Sequence, residues 1–360
     1  MNTNRILNII KKSIGLFIKL PAVIVMAAMS LTALDQLDIF SENSIFYGLD
    51  YIPSLLITMV VIPVFIIRIL LGYKKSASVF IIIFLFYFSQ FGDENLIASV
   101  KSNTHNQFHK PDISVAAINV QYYAKGFENV INKIKEIDAD VVLITENVLN
   151  EKQTAIFDSI AYPYNVITGR PGSSAIMSKY PILNYKEIEL PSYQASLSRS
   201  NDLDTLHRNP HRAFLHAVVD LKNTPVNIIS IRLLGGRPKD NSLKESIRWG
   251  RYLIDVHQKE IDFFIDYINN IDGHIIFGGD LNAHSTSKTV RKLNETAIDA
   301  YTISNSLIGN TFSPPFPILR IDYLFAKNEI IPVYYEKLDV ILSDHYPIYA
   351  EFSINNGENN

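Results

Sequence analysis

Apolar residues are distributed in two different ways along this chain of 360 residues. Before about residue 92 they run almost continuously, over residues 14–34, 51–71 and 76–91. The first two runs reach about 20 residues, enough for a helix to cross a hydrocarbon core of ~30 Å, and the third is shorter. Lys19 and Arg68 lie inside them and would snorkel toward an interface. Small residues at 26–30 make a cleaved signal peptide the rival for the first run, but two further runs favour an anchor of three transmembrane helices over residues 1–91. Arg5, Lys11 and Lys12 precede the first run, and Lys74 and Lys75 stand between the second and third. The loop between the first and second carries Asp35, Asp38, Glu42 and Asp50 with no Lys or Arg. Positive charge stays on the cytoplasmic side, so the N-terminus is expected in the cytoplasm and everything after the third crossing outside it.

Beyond a polar stretch at 92–112, which reads as a linker, apolar positions come in short runs. "DISVAAINVQ" is a β-branched run that reaches polar Asn119, and Phe127, Val130, Ile131, Ile134 and Ile137 then recur at helical spacing. "DVVLITEN" is a strand ending at Glu146, which completes a β-α-β unit. "SSAIMSKYPIL", "FLHAVVDL" and "VNIISIRLL" are further strands. A long helix follows, with Ser242 and Glu245 as a capping box and Gly273 as its stop. Leu243, Ile247, Leu253, Ile254, Ile261, Phe264, Ile265 and Ile268 form its expected buried stripe. "HIIFGGDLN", "RIDYLF" and "YPIYAEF" complete the strands, and residues 354–360 read as a frayed tail. Helices and strands mixed in this order, with several direct strand-to-strand connections, predict an α/β sandwich of two packed sheets over residues 113–353.

Charge narrows the function little. Of 33 Lys and Arg and 36 Asp and Glu, the first hundred residues hold 7 and 6, leaving 26 and 30 for the rest. That balance gives no basic footprint for non-specific binding to nucleic-acid phosphates. The absence of cysteine removes disulfides, thiolate zinc sites and cysteine nucleophiles.

Position is more informative than composition. Asn119, Glu146, Asp280, Asn282, Asp322 and the Asp344–His345 pair all stand at or beside the end of an apolar strand. Each alone is an ordinary turn former. Five strands converging on carboxylates, amides and one imidazole point instead to an oxygen-rich site for a hard cation such as Mg²⁺ or Mn²⁺.

These segments resemble the endonuclease/exonuclease/phosphatase superfamily, the fold of pancreatic deoxyribonuclease, abasic-site endonucleases, inositol-polyphosphate 5-phosphatases and bacterial sphingomyelinases. The resemblance runs from Ile113 to Phe352 through "INV", "DVVLITEN", "SSAIMSKYPI", "GGDLNAH", "RIDYLF" and "SDHYPI" in the family's order. The apolar front is similar to a branch of bacterial membrane-anchored members. The resemblance implies a four-layer α/β sandwich and metal-dependent hydrolysis of a phosphate ester. It implies Glu146, Asn119 and Asp344 at the metal, and Asp280 as the group that handles the attacking water. Asn282 would hold a phosphate oxygen, and His345 would face the phosphate with Asp322 on its other nitrogen. The glycines beside Asp280 would let backbone and substrate come close.

Two positions depart from the family pattern. Where many members have His and the abasic-site branch has Tyr, this chain has Arg232, either a phosphate-binding cation or an exposed strand residue. Gln121 stands where some members place a carboxylate. His207, His211 and His216 lie close in sequence, but Pro210 breaks any helix that would align them for zinc. Arg212 in the same stretch is a candidate for gripping substrate phosphate. The reading is a membrane-anchored, extracytoplasmic phosphodiesterase or nuclease. Its rivals are a lipid-headgroup or small-molecule phosphoesterase and a non-catalytic binding member.

Overall fold

The computed structural model describes residues 110–161, 163–170, 174–191, 213–235, 242–304, 309–315, 317 and 319–354, with Ile66, Ile69 and Leu70 as isolated positions upstream. Apart from Ile66, Ile69 and Leu70, the three apolar runs expected to cross a membrane lie outside the described residues, as does Arg212. Among the described residues no helix is long and apolar enough to cross a membrane. The chain divides into two compact units, Met1–Glu94 with Thr286–Lys288, and Asn95–Ser285 with Thr289–Asn360. Both sheets belong to the second.

In chain order the elements begin β1 (Ile113–Asn119), α1 (Phe127–Ile137), β2 (Val141–Thr145), α2 (Glu151–Ala161), β3 (Asn165–Thr168) and β4 (Ser174–Ser178). They continue β5 (Ile182–Glu189), β6 (Ala213–Leu221), β7 (Thr224–Ser230), α3 (Leu243–Asn269), β8 (His274–Asp280) and α4 (Lys288–Asn294). Last come β9 (Ile298–Asp299), β10 (Asp322–Lys327), β11 (Ile330–Lys337) and β12 (Ile348–Ile354). One six-stranded sheet runs β11-β12-β1-β2-β4-β3 and the other β5-β6-β7-β8-β10-β9, so the sandwich of two mixed sheets is present.

The apolar runs are continuous because both faces of each sheet are covered. Along β1, Val115 and Ala117 belong to the core between the sheets, with Ile276 of β8 and Leu324 of β10 from the facing sheet. Ala116 and Ile118 face α1 and α2, against Val130, Ile131, Ile134 and Phe157. On the far side Ile261, Phe264 and Ile268 of α3 cover Ile229, Ile275 and Phe277. The expected stripe of α3 holds at these positions and at Ile254, with Leu253 and Ile265 half-buried. Ser242 caps the helix by accepting from the Glu245 N–H at 3.3 Å.

The run "SSAIMSKYPIL" is not one strand. It divides into β4 and β5, which belong to opposite sheets. Pro181, with no N–H to give a ladder, stands at the crossing. The sequence "IIPVYYEK" forms edge strand β11, where the pairing register shifts between Pro332 and Tyr334; proline is tolerated at such an edge irregularity. Strand β7 stops at Ser230, so Arg232 lies two residues beyond it.

This topology brings the polar strand ends together. Parallel β1 and β2 set Asn119 opposite Thr145, and parallel β7 and β8 set Ser230 opposite Gly278. Parallel neighbours finish at the same edge of their sheet. The antiparallel neighbours enter there: Asp322 of β10 pairs with Asp280 of β8, and the approach to β12 carries Asp344 and His345.

Candidate active site

Left-handed backbone marks three of the converging segments. Gln121, Tyr122 and Tyr123 have φ of 45°, 55° and 58°, Glu146 has 57° and Asn282 has 47°. Residues with a Cβ resist this conformation. Local bonds hold it: Val120 N–H donates to the Thr145 carbonyl at 3.1 Å, and Tyr122 N–H to the Glu146 carbonyl at 3.2 Å. Gln121 N–H donates to Asn119 Oδ1, and Asn282 N–H to Asp280 Oδ1, both at 2.9 Å. Backbone held against its preference in this way concentrates at functional sites.

Asp280 is the centre of the hydrogen-bonded cluster and is 1% exposed. Its Oδ2 accepts from Asn119 Nδ2 and Asn282 Nδ2, each at 3.0 Å. Burial pushes its carboxyl above the usual range; Asp322 adds to that rise and His345 opposes it. Asn282 Nδ2 also donates to the Leu233 carbonyl at 3.1 Å. A Cβ on Gly235 would lie 2.5 Å from Asn282 Oδ1, so that turn is bare to admit the amide. Gly279, at φ +134°, has Ile231 O 2.2 Å and Thr145 Cγ2 3.0 Å from where a Cβ would be. The glycine therefore admits the backbone at Ile231 and the facing sheet at Thr145, the close approach of backbone that was expected there.

His345 is held from behind. Its Nδ1 is 2.8 Å from Asp322 Oδ2, which also accepts from Thr311 Oγ1 at 2.5 Å. Burial alone would lower the imidazole pKa, but the Asp322 and Asp280 carboxylates outweigh it and raise it to about 10. The two carboxylates thus favour the protonated ring. Its Nε2 lies 3.5 Å from Asn119 Nδ2. Two N–H donors do not bond, so the Nε2 proton remains available to an incoming acceptor. Asp344 Oδ1 is 3.9 Å from the same nitrogen, on a side chain 40% exposed. The Phe312 ring covers the imidazole at 5.0 Å between centroids.

Arg232 is not an exposed strand residue. Its Nη2 donates to Glu146 Oε1 at 2.5 Å, and the two side chains are 14% and 13% exposed. Its Nε lies 3.6 Å from Asp280 Oδ2 without a hydrogen bond. The guanidinium therefore faces the carboxylates of the site. Even so, Glu146 has a raised pKa, because burial, reinforced by Asp280, exceeds the opposing effects of Arg232 and Asn119. The site is short of positive charge with the arginine in place.

Of the histidines in "HRNPHRAFLH", His216 has both ring nitrogens engaged, Nδ1 with Tyr267 Oη at 2.7 Å and Nε2 with Asn227 Oδ1 at 2.9 Å. His207 and His211 lie outside the described residues. Six expected residues, Asn119, Glu146, Asp280, Asn282, Asp322 and His345, meet at one edge with Arg232 among them, and Asp344 flanks them. The sequence reading missed Thr311, which fixes Asp322, and Tyr122, whose phenol lies in the field of Glu146, Arg232, Asp280 and Asp344.

The donor set suits a divalent cation. Asp280, Asp322 and His345 present ligand atoms within 4.8 Å of one another, the imidazole only in its neutral form. Glu146 and Asn119 add further hard oxygens, and an under-neutralised buried carboxylate favours such an ion.

Residues 116–345 match the endonuclease/exonuclease/phosphatase family. Among solved structures, D. rerio TDP2 in complex with a single-strand DNA product is 18% identical, with a TM-score of 0.50 over 67% of this chain and 98% of that one. A functionally unknown conserved protein from Enterococcus faecalis is 17% identical, with a TM-score of 0.50 over 67% and 99%. At such identities the likeness is one of fold. No curated protein matches the sequence. The chain belongs to the endonuclease/exonuclease/phosphatase family of metal-dependent phosphoester hydrolases.

Proposed function

We propose that the chain is a membrane-anchored, divalent-metal-dependent phosphodiesterase or nuclease that breaks a phosphate ester by in-line attack of water. The observation that carries this reading is the meeting, at one sheet edge, of a buried carboxylate cluster and an imidazole oriented by a second carboxylate. Asp280 is the water-handling group, since burial brings its carboxyl toward the range where it can take a proton. Asn282 holds a phosphate oxygen. His345, kept cationic by Asp322, donates its Nε2 proton to the phosphoryl oxygens as negative charge builds there.

Glu146, Asn119 and Asp344 are the residues proposed to hold Mg²⁺ or Mn²⁺. Within the Asp280, Asp322 and His345 group, Asp322 Oδ2 already serves Thr311 and His345, whereas Glu146 gives only one oxygen to Arg232. A bound cation supplies Lewis-acid charge at the phosphate. Arg232 partly neutralises Glu146 and offers further positive charge beside the phosphoryl oxygens; Arg212 is a second candidate contact.

Residues 1–91 are proposed as the anchor, 92–112 as a linker and 113–353 as the catalytic domain facing the extracytoplasmic side. The apolar runs and the one-sided distribution of Lys and Arg support this. The same anchor favours a second reading, hydrolysis of a lipid headgroup with the same residues. Side-by-side assay of DNA, RNA, phospholipid and inositol phosphate, with Mg²⁺ or with EDTA, tests the proposal. Metal-dependent release from a nucleic acid or its diester is expected; release from phospholipid alone would favour the second reading, and no release would contradict both.

A further inference from the structure

Three rings stand beside the catalytic cluster, and they are placed differently. Tyr123 is buried and its Oη donates to Asn147 Oδ1 at 2.8 Å. Phe312 is committed to the His345 ring. Tyr122 is 47% exposed. Its backbone sits at φ 55° between two other left-handed residues, pinned by its N–H on the Glu146 carbonyl. A glycine or asparagine would adopt this conformation at lower cost, so the packed surroundings hold a large ring where the backbone disfavours it. The same N–H bond seats Tyr122 against the Glu146 segment, at the edge where the candidate catalytic residues meet.

We infer that Tyr122 is a stacking platform for the base of a nucleoside phosphodiester, a specificity residue for the reaction proposed above, on which this inference rests. A half-exposed aromatic ring beside the Glu146 segment suits a substrate that carries a planar group. A nucleobase is such a group; an inositol phosphate or glycerolipid headgroup offers no π face. Base stacking on an aromatic side chain tolerates any base. With a formal charge of −3 the chain has no net positive charge to draw in a long phosphate backbone, which favours a short diester or a strand end over duplex.

The test uses the full-length chain with Mg²⁺ and two esters that share a p-nitrophenolate leaving group: thymidine 5′-(p-nitrophenyl phosphate) and methyl p-nitrophenyl phosphate. The wild type is expected to favour the nucleoside ester in kcat/KM. Tyr122→Ala is expected to lower the ratio of the two kcat/KM values about tenfold, chiefly through KM of the nucleoside ester. Tyr122→Phe should keep the ratio. Tyr122→Gly, which suits the backbone, should lose it without a lower melting temperature. An equal loss on both esters, or an unaltered ratio in Tyr122→Ala, would overturn the inference while leaving the hydrolase reading intact. Turnover of neither ester by the wild type would remove the hydrolase reading and this inference with it.

Discussion

Asp322 stands opposite Asp280 across β8 and β10, and its side chain decides the state of His345. It shares one oxygen between the imidazole and Thr311. Asp322→Asn removes the charge that holds the ring as a cation, so kcat is expected to fall on the order of a hundredfold with little effect on KM. Steady-state kinetics on a simple diester would show it. Glu146 poses a different problem, because burial outweighs the arginine beside it. Mg²⁺ or Mn²⁺ is therefore expected to raise the melting temperature of the full chain, and the increase should vanish in Glu146→Gln. Arg232→Met leaves Glu146 buried without its partner. A loss of about 3 kcal/mol in unfolding free energy is expected without cation, partly restored by adding it. Urea titrations with and without Mg²⁺ would measure this.

At the scale of elements, β6 is tied to α3 through His216, whose nitrogens bond Tyr267 and Asn227. Burial, with a smaller push from Lys186, lowers its pKa against the raising effect of the Asn227 bond. The fold thus binds His216 neutral, while the unfolded chain takes up a proton below about pH 6.5. Stability should fall as pH drops from that value through the folded one, and His216→Gln should flatten this part of the profile while costing about 1–3 kcal/mol at pH 8. Chemical denaturation at pH 8 and pH 5 compares the two.

Elements were legible wherever periodicity was long. The strands of β1, β2, β6, β8, β10 and β12, and the stripe of α3, follow from apolar runs and helical spacing. Strands β3 and β9 hold too few residues for a pattern. The Pro332 irregularity hid β11, and the passage of β4 to β5 between sheets has no periodic signature. Candidate side chains at strand ends were legible because a polar residue closing an apolar run is visible in one dimension. The inward turn of Arg232 onto Glu146 was not, since it depends on β7 ending at Ser230. Nor was the left-handed turn at Tyr122, which carries no glycine to announce it.

Across the whole molecule, two features remain joined by proposal: a catalytic sandwich and an apolar front expected in a membrane. The charge asymmetry of the loops predicts that a reporter fused after residue 110 is active only on the extracytoplasmic side. A cytoplasmic signal would reverse the orientation. The sandwich itself explains why the chemistry gathers where it does, because parallel pairs in both sheets finish at one edge and antiparallel neighbours enter there. The central claim is that this edge hydrolyses a phosphodiester with a divalent cation. The most direct measurement is turnover of a generic diester by wild type, Glu146→Gln and Asp280→Asn, with Mg²⁺ and with EDTA, alongside each melting curve. Activity should require Mg²⁺ and fall by about 10²–10⁴ in both folded variants. Turnover that survives EDTA, or persists in either variant at the wild-type rate, would contradict it.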